Sequence, residues 1–246
     1  MKIALISDVH GNLPALEAVL RHARAQGATQ TILNLGDLTG YGPFPEEVVC
    51  WSQAPHIISV LGDYDQKVIS AQQRKSNWER VKTAEKRLMF AWTYDALSKG
   101  SRKYLRSLPA DRAIDVEGVK IVLCHGSPAM RDDHSRLDQP NHRLIELAAN
   151  HNAGVVVSGH THQAFSYELD GVLYVNPGTV GRPDDGDPRP CYAILAVVSG
   201  RVTVQHYRIP YNIMETVHAL RRKGLPEVFT QVVRCGLAYD DVVISL

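Results

Sequence analysis

The sequence predicts an α/β protein, one domain over residues 1–246, and three observations carry that prediction. Five short apolar, β-branched runs lie in the first two thirds of the chain, and a helix-length segment separates the first two. From about residue 165 the runs follow one another closely, with a tight-turn dipeptide between two of them.

Residues 2–6 (KIALI) open the series, a continuous apolar run of the kind that fits a strand buried on both faces. Residues 14–27 (PALEAVLRHARAQG) read as a helix, with Pro14 just inside its start and Gly27 at its end. The runs at 31–35, 57–61, 119–124 and 154–158 are the next strands, and strand, helix, strand at this spacing implies parallel βαβ units with right-handed crossovers. Residues 74–108 show helical spacing instead, with Val81, Ala84, Leu88 and Trp92 on one face, so a helical insertion is expected at about 66–110. Ten Lys and Arg against three acidic residues give this stretch a surplus of seven positive charges, read as a solvated face or as a funnel for an anionic substrate. Beyond it, AFSYEL and VLYVN flank Asp170-Gly171, a hairpin signal, and CYAILAVV and RVTVQHYRI continue the pattern. A C-terminal helical tail is expected at about 211–246, broken near Gly224-Leu225-Pro226.

A hydrophobic fraction of 44% and a charged fraction of 22% exclude fibrous and largely disordered classes. The formal net charge of +1 argues against stable binding of duplex nucleic acid, although the basic insertion leaves short or single-stranded ends open. Cys50, Cys124, Cys191 and Cys235 are widely spaced, so neither a disulfide framework nor a paired-cysteine metal site is expected, and a reducing cytoplasm is the economical location. No run approaches the ~20 apolar residues of a membrane span, and the N-terminal apolar run reaches Asp8 too early for a secretion signal.

The chemistry sits where the strands end. Asp8 and His10 follow the first run, Asp37 the second, Asp63 the third, His125 the fourth, and His160 and His162 the fifth. Ligands in open α/β sheets bind at the carboxyl ends of strands, so seven candidate ligands distant in sequence are brought to one edge. An Asp-x-His alone carries little weight, but the combination with Gly-His-x-His at successive strand ends does. Imidazole and carboxylate suit manganese, iron, zinc or nickel, and seven ligands are too many for one ion. Two ions sharing a carboxylate form the known clamp for in-line displacement at phosphorus, which implies hydrolysis of a phosphate ester.

The strings SDVHGN (7–12), GD (36–37), GDYD (62–65), CHGSP (124–128), SGHTH (158–162) and NPGT (176–179) resemble those of the calcineurin-like metallophosphoesterases, in particular their compact bacterial and archaeal phosphodiesterase-type branch, over about residues 1–208. The resemblance implies a four-layer αββα sandwich of two mixed β-sheets flanked by helices. It further implies two divalent metal ions, manganese first, with Asp8, His10 and His162 on one, His125 and His160 on the other, and Asp37 bridging. Position 63 becomes the fourth ligand of the second ion, and Asp37, His125 and Asp63 form the catalytic set around a metal-bound hydroxide that attacks phosphorus.

Two residues depart from the family pattern. Asp63 stands where the family usually has Asn; three carboxylates against two divalent ions leave a net charge of about +1 rather than +2, so tighter metal holding and weaker attraction for a dianionic monoester are expected. Tyr64 stands where many members carry the histidine that protonates the leaving group, and a phenol with a pKa near ~10 is a poor acid at neutral pH. Phosphodiesterase activity is therefore favoured; the alternatives are a phosphatase for phosphoprotein, nucleotide or dinucleoside polyphosphate, and a catalytically weak metal-binding regulatory protein. Candidate substrate contacts are Asn12, Tyr41, Tyr64, Arg131, His134 and Arg182, with Asn12 equally readable as a helix cap and Asn176 as shaping the NPGT turn. The expected partner is a small phosphate-ester or nucleotide substrate, and an oligomer is compatible with the sequence.

Overall fold

The computed structural model describes residues 1–73, 82–126 and 142–245. Among these residues ten strands form two five-stranded sheets. The first contains β1 (Lys2–Ile6), β2 (Ile32–Asn34), β3 (Ile57–Ser59), β9 (Cys191–Val198) and β10 (Arg201–Arg208), in the order β10-β9-β1-β2-β3. The second contains β4 (Asp111–Val116), β5 (Val119–Cys124), β6 (Val155–Val157), β7 (Phe165–Leu169) and β8 (Val172–Asn176), in the order β4-β5-β6-β8-β7. β1, β2 and β3 run parallel, as do β5, β6 and β8, while β9, β10, β4 and β7 add antiparallel edges.

Strand alternation explains how the two sheets stack. In β1, Ile3 and Leu5 face the second sheet and pack with Leu33, Leu35, Ile121, Leu123, Val155, Val157 and Val175. Their neighbours Ala4 and Ile6 face the other way, into a layer with Leu16 and Val19 of α1 (Leu13–Ala25) and with Val217, Leu220 and Phe229 of the C-terminal helices. The outer face of the second sheet, with Val122, Cys124 and Val156, is covered by Leu144, Leu147 and Ala148 of α6 (His142–His151). Helix, sheet, sheet, helix makes four layers, and a strand buried on both faces must be apolar where it is covered, as residues 3–6 (IALI) of β1 are. The five early runs therefore do not share one sheet: β1, β2 and β3 belong to the first and β5 and β6 to the second.

The remaining helices among the described residues are α2 (Pro45–Ser52), α3 (Asp63–Ile69), α4 (Ala84–Ala96), α5 (Lys99–Ser107), α7 (Ile213–Arg222), α8 (Glu227–Cys235) and α9 (Tyr239–Ser245). Three differences from the sequence reading have physical causes. β4 carries Asp111, Arg112 and Asp115 and is buried only at Val116, because an edge strand needs no apolar run; its hairpin to β5 turns at Glu117-Gly118, both at positive φ. In α4 the buried face is Met89, Phe90 and Thr93, whereas Ala84 and Leu88 point to solvent. The tail has three helices, because α8 ends on left-handed Gly236 and the chain restarts at Tyr239. The hairpin at Asp170-Gly171 forms as read, both residues at positive φ. None of the four cysteines is in a disulfide, and no helix among the described residues is long and apolar enough to cross a membrane.

Candidate metal centre

The carboxyl ends of β1, β2, β3, β5 and β6 meet at one edge of the sandwich, and short backbone contacts join the loops that leave them. The Asp8 amide donates to the Gly36 carbonyl at 3.0 Å, the His10 amide to the Asp37 carbonyl at 2.9 Å, and the Gly159 amide to the His125 carbonyl at 2.8 Å. Such close approach excludes side chains. A Cβ on Gly62 would lie 2.0 Å from the Asp37 amide nitrogen, and one on Gly159 2.0 Å from the Ser7 hydroxyl. Among the described residues ten non-glycines have positive φ, and five of them are Asp8, His10, Asp37, His160 and His162. Conformational strain of this kind gathers where a site must hold side chains in a fixed arrangement.

The seven expected ligands converge. Asp8, His10 and His162 form one group, Asp63, His125 and His160 a second, and Asp8, Asp37 and His125 a third, each with its ligand atoms within 4.8 Å of one another. His162 Nε2 is 3.3 Å from Asp8 Oδ1 and 3.4 Å from His10 Nε2. His125 Nε2 lies 3.4 Å from Asp37 Oδ2 and 3.6 Å from Asp63 Oδ1, and His160 Nδ1 lies 3.7 Å from Asp63 Oδ1. Asp37 Oδ2 is also 3.8 Å from His10 Nε2, which places it between the groups.

Surrounding hydrogen bonds aim the lone pairs inward. His10 Nδ1 donates to the Thr39 carbonyl at 3.1 Å and His125 Nδ1 to the Leu35 carbonyl at 2.7 Å, which turns each Nε2 toward the centre. His162 Nδ1 faces Asp184 at 3.2 Å. Asp8 Oδ2 accepts from the Ser7 hydroxyl and the His160 amide, and Asp37 Oδ1 accepts from the Tyr64 amide at 2.7 Å. Asp8 Oδ1, Asp63 Oδ1 and His125 Nε2 are buried without a hydrogen-bond partner, although polar atoms this deep are nearly always satisfied. Three orphaned ligand atoms within these groups, two on carboxylates and one on an imidazole, fit divalent metal ions.

Charges at the centre shift accordingly. Burial alone would raise the Asp8 carboxyl, but His162, His125 and His10 hold it well below the usual carboxylate range. Burial pushes Asp37 up to about 7 against the pull of His125, with Asp63 and Asp8 adding repulsion. Asp63 is held down, despite burial, by His125, His160 and Lys67, and the carboxylates in turn raise His125 against its own burial.

The other expected contacts divide. Tyr64 and Arg182 are half-buried beside the ligands, with Arg182 stacked 4.6 Å over the Tyr41 ring and its Nε buried and unpartnered. Tyr41 is 3% exposed, shares a hydrogen bond with the Tyr64 hydroxyl, 3.2 Å away, and backs Tyr64 and Arg182. Asn12 caps α1 and serves as a structural hub. It is 1% exposed, its Nδ2 donates to the Gly181 carbonyl and the Tyr211 hydroxyl, and its Oδ1 accepts from Thr216 and the Ala15 amide. Asn176 shapes its turn by donating to the Gly159 carbonyl and accepting from the Gly178 amide. Arg131 and His134 lie outside the described residues, as do positions 74–81 of the basic insertion. Arg102 of that insertion donates to the Tyr94 and Leu97 carbonyls and is not aimed at the centre.

Sequence reasoning missed the supports: Ser7, Thr39, Asp65 and Asp184. Asp65 is fully buried and accepts from the Leu38, Thr39 and Gly62 amides and the Thr39 hydroxyl. The second carboxylate of GDYD was its only signal.

The model of the calcineurin-like phosphoesterase superfamily domain matches residues 1–200. A metallophosphoesterase from Sphaerobacter thermophilus is 33% identical, covering 96% of this chain and 99% of its own, with a TM-score of 0.70. The hypothetical protein PH1004 of Pyrococcus horikoshii has a TM-score of 0.81 at 20% identity over 96% of this chain and 99% of its own, a likeness of fold. The phosphodiesterase YfcE of Escherichia coli K12 is 27% identical over 192 residues, 76% of this chain and 84% of its own. The matched motifs and the converging ligand set together make this chain a member of the calcineurin-like phosphoesterase superfamily, a family of metal-dependent phosphoester hydrolases.

Proposed function

We propose that the protein is a phosphodiesterase with a dinuclear centre, Asp8, His10 and His162 holding one divalent ion, Asp63, His125 and His160 the other, and Asp37 shared. The observation that carries this reading is the pair of ligand groups with Asp37 between them. Imidazole and carboxylate donors accommodate manganese, our first choice, as well as iron, zinc or nickel. Bound ions of this kind supply Lewis-acid neutralisation of a phosphoryl group and lower the pKa of a water.

The chain's own residues favour a diester. Burial and the Tyr41 hydroxyl hold the Tyr64 phenol well above its ordinary pKa, which makes it a poor proton donor to a leaving group. Esters whose leaving group needs no protonation are the better substrates for such a site. Arg182, kept cationic beside the two tyrosines, supplies a fixed positive charge for a phosphoryl oxygen or the nucleotide form of the substrate. The name of the Escherichia coli relative, a phosphodiesterase, agrees with this preference.

The test is hydrolysis of bis-p-nitrophenyl phosphate and p-nitrophenyl phosphate by metal-stripped protein, with and without manganese, beside Asp37→Asn. Manganese-dependent turnover that prefers the diester and vanishes in Asp37→Asn is expected. Preference for the monoester would refute the diester assignment, and equal turnover in Asp37→Asn would refute the shared ligand.

A further inference from the structure

Asp63 does not face the centre as a bare carboxylate. It opens α3, and Lys67, four residues on along the same helix, places Nζ against its Oδ2. The other oxygen, Oδ1, faces His125 Nε2 and His160 Nδ1 and is buried without a hydrogen-bond partner. The two oxygens are thereby given different tasks: one toward the ligand set, one toward an ammonium. Lys67 is itself fixed, with side-chain exposure of 20% and Nζ 4.4 Å from the Tyr64 ring centroid.

We propose that Lys67 is a positioning residue that makes Asp63 the electrostatic equivalent of a neutral amide ligand: it confines the carboxylate to one coordinating oxygen and cancels the charge that Asp adds over Asn. The inference rests on the dinuclear reading above. Two divalent ions and three carboxylates leave about +1, and the ammonium returns the centre to about +2. The weaker attraction for anionic phosphate expected from Asp63 alone is thereby offset, because the compensating charge stands beside the ligand that created the deficit. The spacing is a helical one, i to i+4, so no other element has to move to keep the pair together.

The test is isothermal titration of manganese into metal-stripped protein, and of inorganic phosphate into the manganese-loaded protein, for wild type, Lys67→Met, Lys67→Arg and Lys67→Met/Asp63→Asn. Lys67→Met is expected to hold two ions at least as tightly as wild type, because a repelling cation has been removed. Its phosphate affinity should fall about tenfold, the order for one unit charge a few ångström away at a dielectric between the protein-surface value and water. Lys67→Arg keeps the charge and should stay near wild type. The double variant, neutral at both positions, should recover phosphate affinity to within about threefold of wild type. Unchanged phosphate affinity in Lys67→Met overturns the proposal. So does failure of the double variant to recover, since that would make Lys67 a direct phosphate contact. Loss of one manganese from Lys67→Met likewise overturns it. Fewer than two ions on wild type would instead bring down the dinuclear reading, and this inference with it. Far-UV circular dichroism identical to wild type guards each comparison against misfolding.

Discussion

Asp65→Ala removes a carboxylate that no ligand group contains yet that holds the centre's scaffold together. Its two oxygens accept from the amides of Leu38, at 3.2 Å, Thr39, at 2.9 Å, and Gly62, at 3.3 Å, and from the Thr39 hydroxyl at 2.8 Å. Alanine leaves three buried backbone donors without a partner, each costing about 1–3 kcal/mol. Relief of the buried charge works the other way, since burial already raises the Asp65 pKa, so the net loss should sit near the lower end, about 3 kcal/mol. For a chain of this size that lowers Tm by about 6–12 °C. Differential scanning calorimetry of the metal-free proteins measures it, with Asp65→Asn, which keeps one acceptor oxygen, falling between. The same amides flank Asp37 and Gly62, so manganese affinity should fall together with Tm. A Tm within about 1 °C of wild type, with manganese binding intact, would refute the account of Asp65 as the clasp between these loops.

Three further outcomes are expected. Asp184→Asn weakens the carboxylate that orients His162 through Nδ1, and should cost about 10–100-fold in manganese affinity, read by equilibrium dialysis. Gly62→Ala forces a methyl against the Asp37 amide and should abolish diester turnover while lowering Tm, with unchanged turnover counting against the close approach. Manganese affinity should rise from pH 6 to pH 8. Asp37, held up at about 7, and His125, raised above its usual range, both carry protons at pH 6 that a metal must displace, and by pH 8 Asp37 has already lost its own. Titrations in buffers of different ionisation enthalpy would show proton release shrinking over the same interval.

Each ligand position was legible because the buried strand before it is legible: an apolar run ends, and a residue of ligand type follows within a few positions, at the edge of the sheet. That logic does not require knowing which sheet a strand joins, so Asp8 and His125 could be placed at the same edge although β1 and β5 lie in different sheets. It fails for edge strands such as β4, whose Asp111, Arg112 and Asp115 look like loop, and for α4, where Leu88 and Met89 are equally apolar and only packing decides which is buried. Supports such as Asp65 and Asp184 were invisible for a different reason. Their partners are backbone amides and a histidine brought close by the fold, and no spacing in the chain encodes such a meeting.

Asn12 joins regions that a linear view keeps apart. Through one amide group it binds the carbonyl of Gly181, next to Arg182, and the side chains of Tyr211 and Thr216 at the head of the tail. Opening α7 would strip Asn12 of the Thr216 hydroxyl and loosen the turn that carries Arg182, so the tail and the rim of the centre share one opening event. Slow amide exchange in α7 and in the 179–182 turn should then follow a common rate, and a shortened tail would be felt first as lost order around Arg182.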